Sequence, residues 1–107
     1  MGREALKGHL DMLLLALLRT EPGHGYAVIQ RLAEASDGAF DLPEGTIYPA
    51  LYRLERAGFL RSRETAFEGR RRRVYEITPS GTRALAAQVD DWRAFSVSIG
   101  RTLEAAG

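Results

Sequence analysis

The sequence predicts a mainly α-helical chain carrying one two-stranded β-hairpin, and three observations predict it. Leucines recur at helical spacing from Leu6 to Leu18. Phe59–Thr65 and Arg71–Ile77 read as strands around a turn that contains Glu68-Gly69. After Thr78-Pro79, a strong helix start, apolar positions step by four and three to the end of the chain. The chain has 107 residues, 45% hydrophobic and 27% charged, which suits one modest core and argues against disorder or low complexity.

The first helix is expected over residues 5–19, with Leu6, Leu10, Leu13, Leu14, Leu17 and Leu18 on one stripe. Met12 and Leu15 lie off that stripe, so the helix is apolar on more than one face and is wrapped by protein on several sides. Glu21-Pro22-Gly23 ends it. A second helix begins near His24-Gly25, carries Tyr26, Ile29, Leu32 and Ala33 on one face, and closes at Ser36-Asp37-Gly38. Phe40–Leu42 is extended and leads into Pro43.

The third helix is expected to start near Gly45-Thr46 and stop at Gly58, with Pro49 tolerated in its first turn. Ile47, Ala50, Leu51, Leu54 and Ala57 share its inner face, leaving Tyr48, Pro49, Tyr52, Arg53 and Arg56 outside. In the second strand of the hairpin, Arg71, Arg73, Tyr75 and Ile77 lie on one face, the last two against the helices. Thr78 caps a long fourth helix that runs to about Ala105, with a heptad seam of Leu85, Val89, Trp92, Ser96, Ile99 and Leu103. Ser96 and Gly100 are its weak points.

Charge is unevenly placed. Fifteen basic and 14 acidic residues leave the whole chain at +1. Residues 59–78 alone hold six arginines against three acids, and Arg70, Arg71, Arg72 and Arg73 are consecutive. Adjacent arginines repel one another, and an anionic partner explains that better than solubility does. Other chemistries find no footing. There is no cysteine, which excludes disulfides, thiolate metal sites and cysteine nucleophiles. His9 and His24 lack partners at ligand spacing, no glycine-rich loop follows a strand, and Asp90-Asp91 reads as a solvated face. No enzyme activity, cofactor or metal is expected. The longest apolar run, Met12–Leu18, is far short of the roughly 20 residues of a bilayer span. The first residues lack the pattern of a secretory signal, so no membrane partner and a cytoplasmic location are expected.

Three helices, a hairpin and another helix is the winged helix-turn-helix order, in which the third helix enters a DNA major groove and the hairpin reaches the flanking backbone. The candidate DNA contacts are Thr46, Tyr48, Pro49, Tyr52 and Arg53 on that helix and Arg70, Arg71, Arg72 and Arg73 on the wing. Tyr48 and Tyr52 also fit a second reading, as half-buried packers. Residues 1–78 would form the DNA-binding part and residues 79–107 a dimerisation helix, together one compact unit. That helix would span about 40 Å, too long to hide on a domain with a radius of gyration of about 13 Å, so a second copy is expected on its seam. The expected dimerising residues are Met12, Leu15, Leu85, Val89, Trp92, Ile99 and Leu103.

Several separate motifs then resemble one family: His24-Gly25-Tyr26, Gly45-Thr46-Ile47-Tyr48-Pro49-Ala50-Leu51, Arg53-Leu54-Glu55 with Gly58, and the arginine run followed by Tyr75, Thr78 and Gly81. Over roughly residues 5–90 the chain resembles the PadR family of bacterial transcriptional regulators, and its short C-terminus resembles the small subgroup with a single dimerising helix. The resemblance implies a homodimeric repressor that binds a palindromic operator and releases it on binding a small aromatic or drug-like molecule. Glu44, just before the DNA-reading helix, would either cap that helix or repel phosphate. Trp92 with Phe95 and Ser96 would either line a slot for a flat aromatic effector or fill the dimer interface. The competing reading of the fold is a protein-interaction module that binds no DNA.

Overall fold

Leucine content alone makes the first helix, but its start is set by Gly8 and His9. The computed structural model describes Leu6 and residues 8–107; Ala5 and Lys7, which the expected helix included, lie outside the described residues. Gly8-His9 form a turn, with the His9 amide donating to the Leu6 carbonyl at 2.8 Å, and helix α1 spans Leu10–Thr20. Leu6 is helical too, so the turn interrupts the helix expected over residues 5–19, and the continuous helix begins at Leu10. Asp11 in its first turn and Arg19 in its last complement the helix dipole.

A two-residue strand β1, Gly23–His24, follows, where the sequence predicts the end of the first helix at Gly23 and the start of the second at His24. Helix α2 spans Gly25–Ala35 and ends where Ser36 Oγ donates to the Leu32 carbonyl at 2.7 Å and Asp37 and Gly38 adopt positive φ. Helix α3 spans Glu44–Arg56, starting slightly before the expected position. Pro49 is consequently its sixth residue and sits past the first turn, contrary to expectation. The amide that proline lacks would have served the carbonyl of Gly45, an exposed residue whose carbonyl water can satisfy.

Gly58, at φ 84°, closes α3: its amide donates to Glu55 O and the Phe59 amide to Leu54 O, both at 3.0 Å. Ala57 becomes the C-cap and is exposed, not an inner-face residue. Strands β2 (Leu60–Phe67) and β3 (Arg70–Ile77) pair antiparallel from Leu60↔Ile77 to Phe67↔Arg70. The wing is thus longer at its tip than expected, because Glu68 and Gly69, at φ 51° and 76°, make a two-residue turn that keeps pairing intact up to it. β1 joins the other side of β3, giving the order β1-β3-β2.

Helix α4 spans Pro79–Ala106. Thr78 anchors it twice: its hydroxyl accepts from the Gly81 amide at 3.0 Å and donates to the Gly58 carbonyl at 2.6 Å. Gly81 lies so close to the Phe59 carbonyl that a side chain there would collide with it. Leu14, Leu15, Leu18, Val28, Ile47, Leu51, Leu54 and Leu60 form the centre of the core.

Two of the residues assigned to a dimer surface belong to that core. Leu15 is fully buried because α1 is packed by α2, α3, β3 and α4 together. Leu85 is also buried, since the first two turns of α4 lie on the body of the chain. Met12 and Val89 pack partly against the core. Beyond Val89 the helix leaves the body, and Trp92, Phe95, Val97, Ile99 and Leu103 are exposed. The molecule measures 58 × 28 × 20 Å as a result.

Candidate nucleic-acid interface

Period two along β3 divides the arginine run between two faces of the wing. Arg71 and Arg73 share a face with Glu64 on β2 and pair with its carboxylate at 3.7 and 3.4 Å; Arg73 also donates to Ser62 Oγ at 3.0 Å. Arg72, on the other face, is the least exposed of the four. Its guanidinium sits 5.4 Å from the Phe67 ring and donates through Nη1 toward His24 Nε2 at 2.9 Å. The β1–β3 register makes that contact available, since His24 stands opposite Val74, two residues from Arg72.

His24 also caps α2, its Nδ1 lying 3.3 Å from the Ala27 amide. Both contacts ask a ring nitrogen to accept. A neutral imidazole has one bare nitrogen, so it serves one of the two at a time. The shorter contact, to Arg72, selects Nε2 as that acceptor and leaves Nδ1–H merely near the Ala27 amide, while an imidazolium serves neither. Burial, reinforced by the charges of Arg72 and Arg31, lowers the His24 pKa below 6.5 and keeps the ring neutral.

The next residue, Gly25, seats a candidate contact side chain. Its missing Cβ would occupy the space of the Tyr48 ring, so the phenol of α3 lies directly on the start of α2. Burial first and the nearby Glu44 carboxylate second raise the Tyr48 pKa, so its hydroxyl, protonated at neutral pH in any case, stays a donor further into the alkaline range. Tyr26 has the same property, chiefly through hydrogen bonding to Glu44. Glu44 is the first residue of α3, a position where a carboxylate also complements the helix dipole.

These pieces enclose one cleft of about 250 Å³, bordered by His24, Gly25, Tyr26, Tyr48 and all four of Arg70–Arg73. Sequence reasoning missed Tyr26 and His24 as parts of it. Tyr26 is exposed and not on the inner face of α2, where Val28 and Leu32 are buried. Thr46, Pro49 and Tyr52 are exposed along the same helix as Tyr48, and Arg56 stacks over Tyr52 at 5.8 Å. Arg53 is also exposed but is ion-paired with Asp11 of α1, which draws it away from Tyr48.

A second cavity, about 400 Å³, lies where the start of α1 meets α4, and Met12, Trp92 and Phe95 line it with His9, Gln88 and Asp91. Ser96, grouped with Trp92 and Phe95 in the sequence, is not in its wall; it stands a turn beyond Trp92, clear of α1. Among the described residues no cluster of three or more His, Asp or Glu could hold a metal, and no helix is long and apolar enough to cross a membrane.

Residues 14–87 match the family described as transcriptional regulator PadR-like. The chain resembles the crystal structure of a PadR family transcriptional regulator from Eggerthella lenta, with a TM-score of 0.85 and 34% identity over 94% of this chain and 87% of that one. It resembles a transcriptional regulator from Clostridium thermocellum with a TM-score of 0.86 and 28% identity, covering 92% and 96% of the two chains. The transcriptional regulator Rv3488 of Mycobacterium tuberculosis is 44% identical over 62 residues, which is 58% of this chain and 55% of that protein. The chain therefore spans just over half the length of that regulator. These are regulators, not enzymes, and their four-helix, three-strand winged-helix architecture is the one found here. The chain belongs to the PadR-like family of transcriptional regulators.

Proposed function

We propose that the chain is a sequence-specific DNA-binding repressor that works as a homodimer on a palindromic operator. The observation that carries this reading is the cleft that the wing arginines, Tyr26 and Tyr48 border beside the exposed face of α3, with Arg70, Arg72 and the Tyr48 hydroxyl clear of the Glu64 pairs and of the Tyr26–Glu44 bond. Phosphate needs donors and positive charge together, and both are supplied there by side chains fixed on three elements. Thr46, Tyr48, Pro49 and Tyr52 enter the major groove, and Arg70–Arg73 hold the backbone beside it. The second copy covers α4 from Trp92 onward, where Trp92, Ile99 and Leu103 are exposed, and reaches the partly buried Val89 and, on α1, Met12. A flat aromatic effector enters the cavity of Met12, Trp92 and Phe95 and releases the operator.

The test is selection of bound sites from random duplex DNA. Recovered sites should carry a dyad whose half-sites lie about one helical turn, roughly 34–36 Å, apart. Sites without a dyad, or retention of no duplex at all, would refute the reading. Trp92 is the single tryptophan of the chain, so its fluorescence reports on the second cavity directly. Planar aromatics that quench it should also release the selected duplex.

A further inference from the structure

Among the described residues, Arg72 is the one wing arginine bonded to a side chain outside the wing, and its holder is a histidine that the proposed groove and backbone contacts do not use. Resting on the DNA-binding reading above, we propose that His24 is a positioning residue for the backbone contact: its neutral ring, accepting at Nε2, fixes Arg72 beside Tyr48 so that one guanidinium edge stays turned to the cleft. The geometry supports this in three ways. The 2.9 Å contact joins residues 48 positions apart, across β1 and β3, and ties the wing to the start of α2. The Phe67 ring lies 5.4 Å from the same guanidinium, a second contact that favours one placement of it. Tyr48 is fixed from the neighbouring residue, since its ring lies on Gly25. Arginine loses considerable rotamer freedom on binding an anion, and ordering it beforehand removes that cost.

Among the described residues the groups around His24 are cationic or phenolic, with two carboxylates behind them, Glu21 paired with Arg31 at 3.3 Å and Glu44 beside Tyr26 and Tyr48. Arg70 and Arg72 come from β3, Arg31 and Tyr26 from α2, and Tyr48 from α3. An imidazolium there would repel Arg72 and would have no lone pair to offer it. Acidification should therefore loosen the wing contact even though it adds a charge.

Two substitutions separate the two ring nitrogens. In His24→Asn the side-chain carbonyl lies where Nδ1 does, so it caps α2 but cannot reach Arg72. In His24→Gln the carbonyl reaches the position of Nε2 and accepts from Arg72 at any pH. The probe is a short fluorescent duplex of mixed sequence, titrated by anisotropy at fixed ionic strength. His24→Asn should keep the parental melting temperature, bind about tenfold more weakly, and lose about one unit of salt slope. His24→Gln should match the parent at neutral pH and hold its affinity on acidification, while the parent weakens several-fold. A His24→Asn variant that binds like the parent, or a His24→Gln variant that weakens as much as His24→Asn, would overturn the positioning role alone. A parental chain that binds no duplex would overturn the DNA reading, and this role with it.

Discussion

At the scale of single residues, two glycines and a histidine carry more than their size suggests. Gly25→Ala places a methyl group in the space of the Tyr48 ring, which must swing out of the cleft. Duplex affinity should fall by about tenfold, ~1.4 kcal/mol, with the fold intact, as read by anisotropy beside a urea melt. Gly81→Ala meets backbone in place of a movable ring, because the Phe59 carbonyl cannot withdraw without dragging β2 and the Thr78 cap. A loss of about 1–3 kcal/mol in urea stability is expected. For His24 the folded chain favours the neutral ring, so its folded pKa lies below the unfolded 6.5. Between those two values the unfolded state binds the extra proton. Stability is therefore complete above pH 6.5 and declines as pH falls through the folded value. Denaturation midpoints measured across that window should show the decline in the parent and not in His24→Gln.

Among the elements, the wing is where charge and pairing pull against each other. Glu64 holds Arg71 and Arg73, both largely exposed, in ion pairs that contribute about 0–1 kcal/mol each to the fold. Its carboxylate nevertheless lowers the potential that those arginines present to an anion. Glu64→Gln should tighten duplex binding several-fold with little change in stability, whereas Arg71→Ala with Arg73→Ala should weaken it on all sequences and flatten the salt dependence. A variant pair that changed the preferred site and left the salt slope untouched would assign these arginines to base reading.

Elements with local signals were legible in the sequence. Thr78-Pro79 and Gly58 mark their helix ends, and Glu68-Gly69 marks the turn, because each acts through its own backbone angles. β1 was not legible: two residues show no alternation, and its pairing with Tyr75 and Val74 is made from the far side of the chain. The same holds for the cleft. The exposed arginines and tyrosines could be read from composition and spacing, but His24 and Tyr26 join them only after three elements meet. Leu15 and Leu85 were misassigned for a related reason. Periodicity identifies an apolar stripe without saying whether its own chain or another covers it, and here the first turns of α4 are covered from within.

For the whole molecule, the division of α4 between core and exposed rod decides how assembly and folding are linked. Ile99 and Leu103 lie outside the core, so Ile99→Glu with Leu103→Glu should give a folded monomer by light scattering and circular dichroism. Val89→Glu should lower stability as well, since Val89 packs against the core. If the first variant stays dimeric, the second copy is held elsewhere. The two ends of α4 also stand in a mechanical relation. Its first turns are pinned by Thr78 and Gly81 to the corner joining α3 and β2 and packed on the core as far as Val89, and the rest, residues 90–106, is a stiff rod about 26 Å long. The pinned end acts as a fulcrum and the rod as a lever arm. A tilt of about five degrees displaces the end of such a rod by roughly 2 Å, about a third of the width of a DNA minor groove. A ligand too small to touch the α3 corner can therefore change the distance between two such corners simply by wedging the rods apart.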